Sequence, residues 1–531
     1  MAEVSGQPAD HGSNWHLAMP LADLELQSIK MLRISGKQIA FFNTAYGVRA
    51  CDNRCPHEGY PLSEGSLAQD CTLTCNWHNW KFNLDTGDNL YGGDRLRTYP
   101  IAIRGSDIWV DITELPYQER YTNIGSSLHD AFDDYSYDRI AREIARLIRL
   151  GADPLDVLRW SIEWSWQKME FGWTHAYAGM ADWLTLYDEH EDDDELQLVC
   201  LVESVAHVAF DVLREKDYAF TSELTSFDES VFLNAIEAEH EDAAVAAIRG
   251  GISDGMQFAN FEAVLTRAAL EHYNAFGHAL IYVTKAKILI ERLGKDVMEP
   301  VLLSLVRELI YASREDRIPD FRAYTGHLKK WGQHSGINPE AKLWRHQSIN
   351  NSMEATVACS GSPPETIYQA LLLANAINLL SFDIAQQEKV HISVSGNVGW
   401  LDFTHGLTFA NAVRQQCLRF PDLWPQALLQ MACFNGRNAG FTTGYTDLGS
   451  WKSTDLERQT NHLLNRVLDH GQGEHIVSVH LLKTVLAVRE EISNLDRSDA
   501  ETLVAALTRF FESPIKRRQA RRTAHQSLRF S

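Results

Sequence analysis

Apolar and polar residues follow two different rhythms along this chain. Between residues 16 and 113 the apolar runs are short: Lys30–Ile34, Gln38–Phe42, Tyr99–Ile103 and Asp107–Ile112. Turn formers separate such runs, as at Ser35-Gly36-Lys37, Thr86-Gly87-Asp88 and Gly92-Gly93-Asp94. Short strands with frequent Gly, Asn and Asp between them predict a small all-β domain. From about residue 137 the period becomes helical. Over Tyr137–Leu150, Ile140, Ile144, Leu147 and Ile148 share one side, with Arg and Glu between them. Similar segments continue past residue 500, and Pro154, Pro300, Pro363-Pro364, Pro421 and Pro425 fall where helices start or break. The polar stretch 114–136, with Pro116, Gly125 and Ser126-Ser127, reads as a linker, and the basic residues Lys516–Arg522 read as a solvated tail. The predicted fold class is multidomain: a small all-β domain over 16–113, a linker over 114–136, a large all-α domain over 137–512 and a basic tail over 513–531.

At 531 residues the chain is too long for one hydrophobic core, so two or three domains are expected. Acids outnumber bases 71 to 49, for a net charge of −22. That balance argues against nucleic acid as the main partner and suits steering of a positively patched redox protein. No run approaches the roughly twenty apolar residues of a membrane span, so no membrane association is expected. Residues 1–16 are polar and lack the apolar middle of a signal peptide, which makes a cytoplasmic location the expectation. The eight cysteines are Cys51, Cys55, Cys71, Cys75, Cys200, Cys359, Cys417 and Cys433. In a reducing compartment, spaced cysteines point to metal binding or chemistry more often than to disulfides.

Four residues carry the clearest chemistry. Cys55-Pro56-His57 and Cys75-Asn76-Trp77-His78 are separated by 17 residues. Two thiolates can neutralise one ferric ion of a two-iron cluster while two neutral imidazoles bind the other. Zinc also takes two Cys and two His, but it usually pairs Cys with Cys and His with His along the sequence. Here each loop holds one of each, which favours the cluster.

On these residues, 16–113 resembles the Rieske [2Fe–2S] domains of ferredoxins and ring-hydroxylating oxygenases. The likeness extends to Pro56 and the Gly59–Gly65 loop, to Trp77-His78-Asn79-Trp80-Lys81-Phe82 and on to Gly87, and to Tyr99-Pro100-Ile101. Asn79 departs from the family, which often has Gly there. High-potential respiratory members carry extra loop cysteines, and those places hold Tyr60 and Asn76 here. Cys51 and Cys71, each four residues before a ligand cysteine, read as a disulfide or as two small buried thiols. The resemblance implies a centre toward the low-potential end of a range of roughly −150 to +300 mV. It implies an external NAD(P)H-dependent reductase or ferredoxin as donor, with His57 and His78 as the electron port. It is also compatible with a homo-oligomer, since Rieske oxygenases often pass electrons across a subunit boundary.

The helical half lacks the mononuclear iron motif of such oxygenases, Asp-x-x-His-x4-His. Asp402-Phe-Thr-His405 supplies its first half, but position 410 is Ala. Acid and histidine pairs at helical spacing are present instead. Glu203 and His207 lie four apart on the nearly all-apolar helix predicted over Leu196–Leu213. Glu271, Asn274 and His278 form a polar stripe on another predicted helix. Asp402 and His405 share a third, His175 and Asp182 a fourth, and His480 sits in the apolar run Ile476–Val488. His278-Ala-Leu, His405-Gly-Leu and His480-Leu-Leu repeat a histidine set before an apolar helical run. Helical bundles that hold iron or manganese use inward Glu, Asp and His from several helices. A buried Glu–His pair can equally be a satisfied hydrogen bond, and both readings stay open at this level.

The stretch Leu270–Tyr282, with the His405 and His480 segments, also resembles the histidine-bearing helices of the questin oxidase-like family. That family is linked to oxygenation of polyketide-derived aromatic compounds. The expected function is an O2-dependent oxygenase acting on a small organic molecule, for which the second resemblance implies an aromatic one. A second iron centre, mononuclear or dinuclear, would draw on Glu203, His207, His278, His405 and His480, the four histidines being the catalytic candidates. The alternative is a Rieske electron carrier or redox sensor fused to a helical docking module. Trp160, Trp164, Trp166, Trp173 and Trp183 read as core packing before an aromatic pocket, and the acid-rich run Asp188–Glu195 as a solvated loop. No phosphate-cradling glycine motif is present, so no nicotinamide, flavin or nucleotide site is expected in the chain itself.

Overall fold

Ten short strands build the N-terminal domain: β1 (Trp15–Pro20), β2 (Ile29–Ile34), β3 (Lys37–Thr44), β4 (Gly47–Asp52), β5 (Ser66–Leu67), β6 (Thr72–Thr74), β7 (Lys81–Asn83), β8 (Asn89–Tyr91), β9 (Ile101–Arg104) and β10 (Asp107–Asp111). They form three antiparallel sheets in the orders β1-β10-β9, β2-β3-β4 and β5-β6-β7-β8. The computed structural model describes residues 14–333, 336–444 and 447–531. Residues 1–13, which carry most of the polar N-terminus, lie outside the described residues.

Strand β3 divides two cores. Side chains alternate across a strand, and Ile39 and Phe41 enter one core with Ile108 and Val110. Ala40 and Phe42 enter the other, with Cys51, Cys55, Cys71, Cys75, Leu73 and Phe82. The second core therefore forms the floor beneath both ligand loops. Cys51 and Cys71 are free buried thiols. Cys51 Sγ donates to the Asp52 carbonyl and Cys71 Sγ to Thr44 Oγ1.

The expected linker is helical. Helix α1 (Tyr117–Asp133) occupies most of 114–136, and α2 (Tyr137–Leu150) follows as its periodicity predicts, ending at the left-handed Gly151. Residues up to Ala131 and Ser136–Asp153 belong to the same compact unit as the strands. The unit boundary thus falls near residue 153, where the periodicity placed it at 137. The physical reason is a buried charge. Asp94 is fully buried and takes Arg142 at 2.8 Å, Arg146 at 3.2 Å and Arg139 at 3.7 Å, all from α2. A carboxylate at such depth needs partners, and three arginines that look like a solvated face supply them.

The second unit, Phe132–Tyr135 with Pro154–Ser531, is helical. Its site is built by α3 (His175–Glu189), α4 (Asp194–Asp211), α5 (His278–Leu293), α6 (Trp400–Arg419) and α7 (His475–Glu491). Helices α3, α5, α6 and α7 form a closed ring, each packed on the next, and α4 packs on α3. The predicted helix through Glu271, Asn274 and His278 is broken. Helix Phe258–Glu271 stops, Asn274 Nδ2 donates to its Ala268 and Ala269 carbonyls, and Ala275, Phe276 and Gly277 all take positive φ before α5 begins. The acid-rich run is partly used: Asp193 caps α4, and Asp188 and Glu189 pair with Arg292 and Arg489. The basic tail folds as α8 (Ala520–Phe530), with Arg522 and Gln526 buried. Among the described residues no helix is long and apolar enough to cross a membrane.

Candidate functional site

The two ligand loops are backbone twins. Cys55 N–H donates to the Tyr60 carbonyl and Gly59 N–H returns to Cys55; Cys75 N–H donates to the Trp80 carbonyl and Asn79 N–H returns to Cys75. Each loop needs a left-handed residue at the same place, Gly59 at φ +77° and Asn79 at φ +62°. Asn is among the few side chains that tolerate this region, so the departure at Asn79 preserves the turn.

These turns bring the four side chains together. The His57 and His78 rings lie 4.8 Å apart, nearly perpendicular. His57 Nδ1 is buried and has no hydrogen-bond partner. The Cys55 and Cys75 thiols interact, and the N–H groups of His57 and Glu58 point at the Cys55 sulfur. Burial pushes the Cys55 thiol up to about 12. A free thiol there stays protonated, so a bound cation is what would make it a thiolate. An orphaned imidazole nitrogen beside two buried sulfurs fits a [2Fe–2S] cluster. His57 stacks on Trp80 at 4.4 Å, and Trp77, stacked on Tyr60, is exposed. The Glu58 carboxylate lies 3.8 Å from a nitrogen of each ring. Arg146, besides meeting Asp94, donates to the Pro56 carbonyl of the first loop. Helix α2 thereby braces the ligand loop, a role that the turn-like Gly92-Gly93-Asp94 does not advertise.

The helical unit holds a second convergence. His175 and His278 are the first residues of α3 and α5, while His405 and His480 lie in the second turns of α6 and α7. Their rings approach within 4.3 to 4.9 Å for His278–His405, His175–His278, His175–His480 and His405–His480. His278 Nε2 lies 3.1 Å from His175 Nε2, and His480 Nε2 lies 3.4 Å from His405 Nε2. Metal–nitrogen bonds of about 2.1 Å put neighbouring ligand nitrogens roughly 3.0–3.4 Å apart. Ligand nitrogens of His175, His278 and His405 all lie within 4.8 Å of one another, a set that could hold one ion, and His480 stands beside His405.

The imidazoles are also in the right state. His278 Nδ1 meets the Ala275 carbonyl, and His480 Nδ1 meets that of Ile476 at 2.6 Å. A carbonyl only accepts, so each proton sits on Nδ1 and each Nε2 keeps its lone pair. Burial, followed by the nearby Lys483 charge, holds His175, His405 and His480 well below the usual imidazole range and His278 at about 4. All four are neutral at pH 7, as metal ligation requires. Lys483 is itself lowered to about 7 by burial and sits 3.1 Å from His405 Nε2.

Of the five residues anticipated for this centre, His278, His405 and His480 meet, and His175 joins them. Periodicity paired His175 with Asp182, but Asp182 binds Lys285 at 2.6 Å. Asp402 is likewise committed, to Arg437 and the Gly399 N–H. Glu203 and His207 belong to a separate network. Glu203 Oε2 lies 3.1 Å from His470 Nε2 and 3.6 Å from His475 Nδ1, His475 Nε2 bonds the Tyr135 hydroxyl, and His207 stacks on His475. Burial lowers His207 to about 3.

Comparison with known proteins falls on the N-terminal domain. The family model described as the Rieske [2Fe-2S] domain matches residues 14–100. A 3-phenylpropionate/cinnamic acid dioxygenase ferredoxin subunit of Shigella boydii is 39% identical over 100 residues, 18% of this chain and 92% of that protein. The 4beta-methylsterol monooxygenase of Methylococcus capsulatus is 32% identical over 111 residues, 19% of this chain and 30% of that protein, so the chain spans under a third of that relative. The solved ferredoxin of carbazole 1,9a-dioxygenase from Nocardioides aromaticivorans is 22% identical, covered to 97% by 18% of this chain, with a TM-score of 0.18.

Proposed function

The N-terminal domain belongs to the Rieske [2Fe–2S] family, and on that premise we propose that the chain is an oxygenase. An external NAD(P)H-dependent reductase or ferredoxin delivers electrons to the Rieske domain. His175, His278, His405 and His480 would hold an iron centre, which would supply the chemistry for using these electrons and dioxygen to oxidise a small organic molecule. The observation that carries this reading is the convergence of four neutral imidazoles from four helices, His405 and His480 buried and His175 and His278 half-buried. Oxygenase systems also supply the two sequence relatives, one a monooxygenase and one a dioxygenase's ferredoxin subunit.

When bound, the cluster supplies single electrons, and iron with four nitrogen ligands supplies a redox centre with open positions. The chain's own residues do the rest. His57 and His78 present the cluster edge to a donor, and Trp80 holds the His57 ring in place. The packed ring of α3, α5, α6 and α7 shields His405 and His480 from water. The Ala275 and Ile476 carbonyls fix two ring orientations.

Iron analysis with electron paramagnetic resonance on anaerobically purified protein tests this. The expected result is three irons per chain, with a Rieske-type rhombic signal on reduction. His405→Ala should lower the count to two, keep the signal and abolish oxygen consumption. Two irons per wild-type chain, or three that survive His405→Ala, would reject the reading in favour of an electron carrier or sensor.

A further inference from the structure

The first turns of α6 and α7 wall a cleft of about 270 Å³. Leu401 and Ile476 line it, and His405 and His480 stand four residues further along the same helices. Residues four apart share one helix face, about 5–6 Å from each other. The cleft therefore lies a single turn from two of the four imidazoles. Half-buried Leu401, Ile476 and Ile515 give it apolar walls, and α8 closes one side.

Five charged side chains line it, and their partners decide its polarity. Asp402 is neutralised by Arg437, Glu474 pairs with Arg518, and Lys516 pairs with Glu388. Arg517 bonds the neutral amide of Gln472. Arg522 is only 5% exposed, and its guanidinium donates to the Lys389 carbonyl at 2.9 Å and the Gln386 carbonyl at 2.7 Å. Among the described residues Arg522 forms no ion pair with a carboxylate. A buried cation without a counter-charge is costly, and a bound anion would relieve that cost. The N-terminal ends of α6 and α7 point the same polarity at the cleft.

We propose that this cleft is the substrate pocket of the four-histidine centre and that it selects aromatic carboxylates. The acid group sits on Arg522, and the ring lies against Leu401 and Ile476 with one edge toward His405 and His480. The inference rests on the oxygenase reading for its chemistry, but binding can be measured without turnover.

Calorimetric titration of the holoprotein with 2-naphthoate and with neutral 2-naphthamide, which matches it in shape, reads the selectivity directly. The carboxylate should bind about ten- to a hundredfold tighter, the range of a charge-assisted hydrogen bond. Arg522→Gln should remove that preference by weakening naphthoate far more than the amide, while Arg522→Lys should restore part of it. Because Arg522 also anchors α8, Arg517→Gln, at an exposed position, serves as a second variant and should weaken naphthoate alone by a smaller factor. Equal affinities in the wild type, no saturable naphthoate binding, or a preference that survives Arg522→Gln would overturn the proposal. Iron content separates the two claims. Selective binding with two irons per chain would defeat the oxygenase reading and keep the pocket; three irons without selectivity would do the reverse.

Discussion

Gly277 sets where His278 stands among the four clustered histidines, and replacing it by Ala tests that directly. Its φ is +82°, in the region that disfavours a Cβ, and His278 follows it immediately. The left-handed conformation costs a non-glycine residue about 1–2 kcal/mol. A Cβ there would also stand 2.6 Å from Phe409 Cδ2, 2.9 Å from Phe409 Cγ and 3.2 Å from Phe434 Cε2. Phe409 and Phe434 are buried and packed on each other. Neither can swing away cheaply, and overpacking of this kind costs about 1–3 kcal/mol. The sum is about 2–5 kcal/mol for Gly277→Ala. Gly255, at φ +88° with nothing within 4 Å of its would-be Cβ, isolates the backbone part at about 1–2 kcal/mol. Phe409 lies four residues beyond His405 on α6, so the strain reaches two of the clustered imidazoles at once. Urea unfolding of the helical unit, followed by far-ultraviolet circular dichroism, gives the energies. Iron retention against a chelator should fall about 10–100-fold, as for other groups that orient ligands. A Gly277→Ala protein within about 0.5 kcal/mol of Gly255→Ala, a margin typical of independent sites, and with full iron would refute the reasoning.

Other perturbations follow from single contacts. Asp94→Asn leaves Arg139, Arg142 and Arg146 facing a neutral amide at a fully buried position. A loss of about 3 kcal/mol is expected, at the low end for broken buried pairs because the arginines are partly solvated. The cluster's visible dichroism should disappear at lower denaturant, and an unchanged midpoint would contradict the bracing role of α2. Glu58→Gln removes a negative charge 3.8 Å from both ligand rings. An exposed unit charge at that range is worth up to about 1 kcal/mol, so the reduction potential should rise by at most about 40 mV. Protein-film voltammetry at low salt reads it, and no change or a fall would be evidence against the placement. His272 has its imidazole pKa raised, first by the hydrogen bond to Asp316 and also by Glu237. Its contribution is therefore fully present below the unfolded value of about 6.5 and is lost as pH rises through the higher folded value. His272→Gln should cost stability at about pH 5.5 and little once the wild-type ring has lost its proton. A cost that grows with pH would reverse the sign.

The β-domain and its cofactor were legible because their determinants are local. Cys55, His57, Cys75 and His78 sit in two loops whose turns are set within six residues by Gly59 and Asn79, and strand alternation around Phe41 and Phe42 announces the floor beneath them. Helix α2 was legible residue for residue from its 3.6 period. The three segments that place His278, His405 and His480 before apolar runs were visible as a repeat, though nothing in their spacing says that they meet. That meeting depends on how α3, α5, α6 and α7 close into a ring, which is decided by packing between faces up to three hundred residues apart. The same long-range packing draws in His175, sends Asp182 to Lys285, and assigns Glu203 and His207 to a network of their own. It also turns a polar stretch into α1 and a basic tail into α8, because partners such as Asp94 for α2, and the carbonyls of Gln386 and Lys389 for Arg522, are supplied from elsewhere in the chain. A periodicity can say which face of a helix is buried; only the tertiary structure says against what.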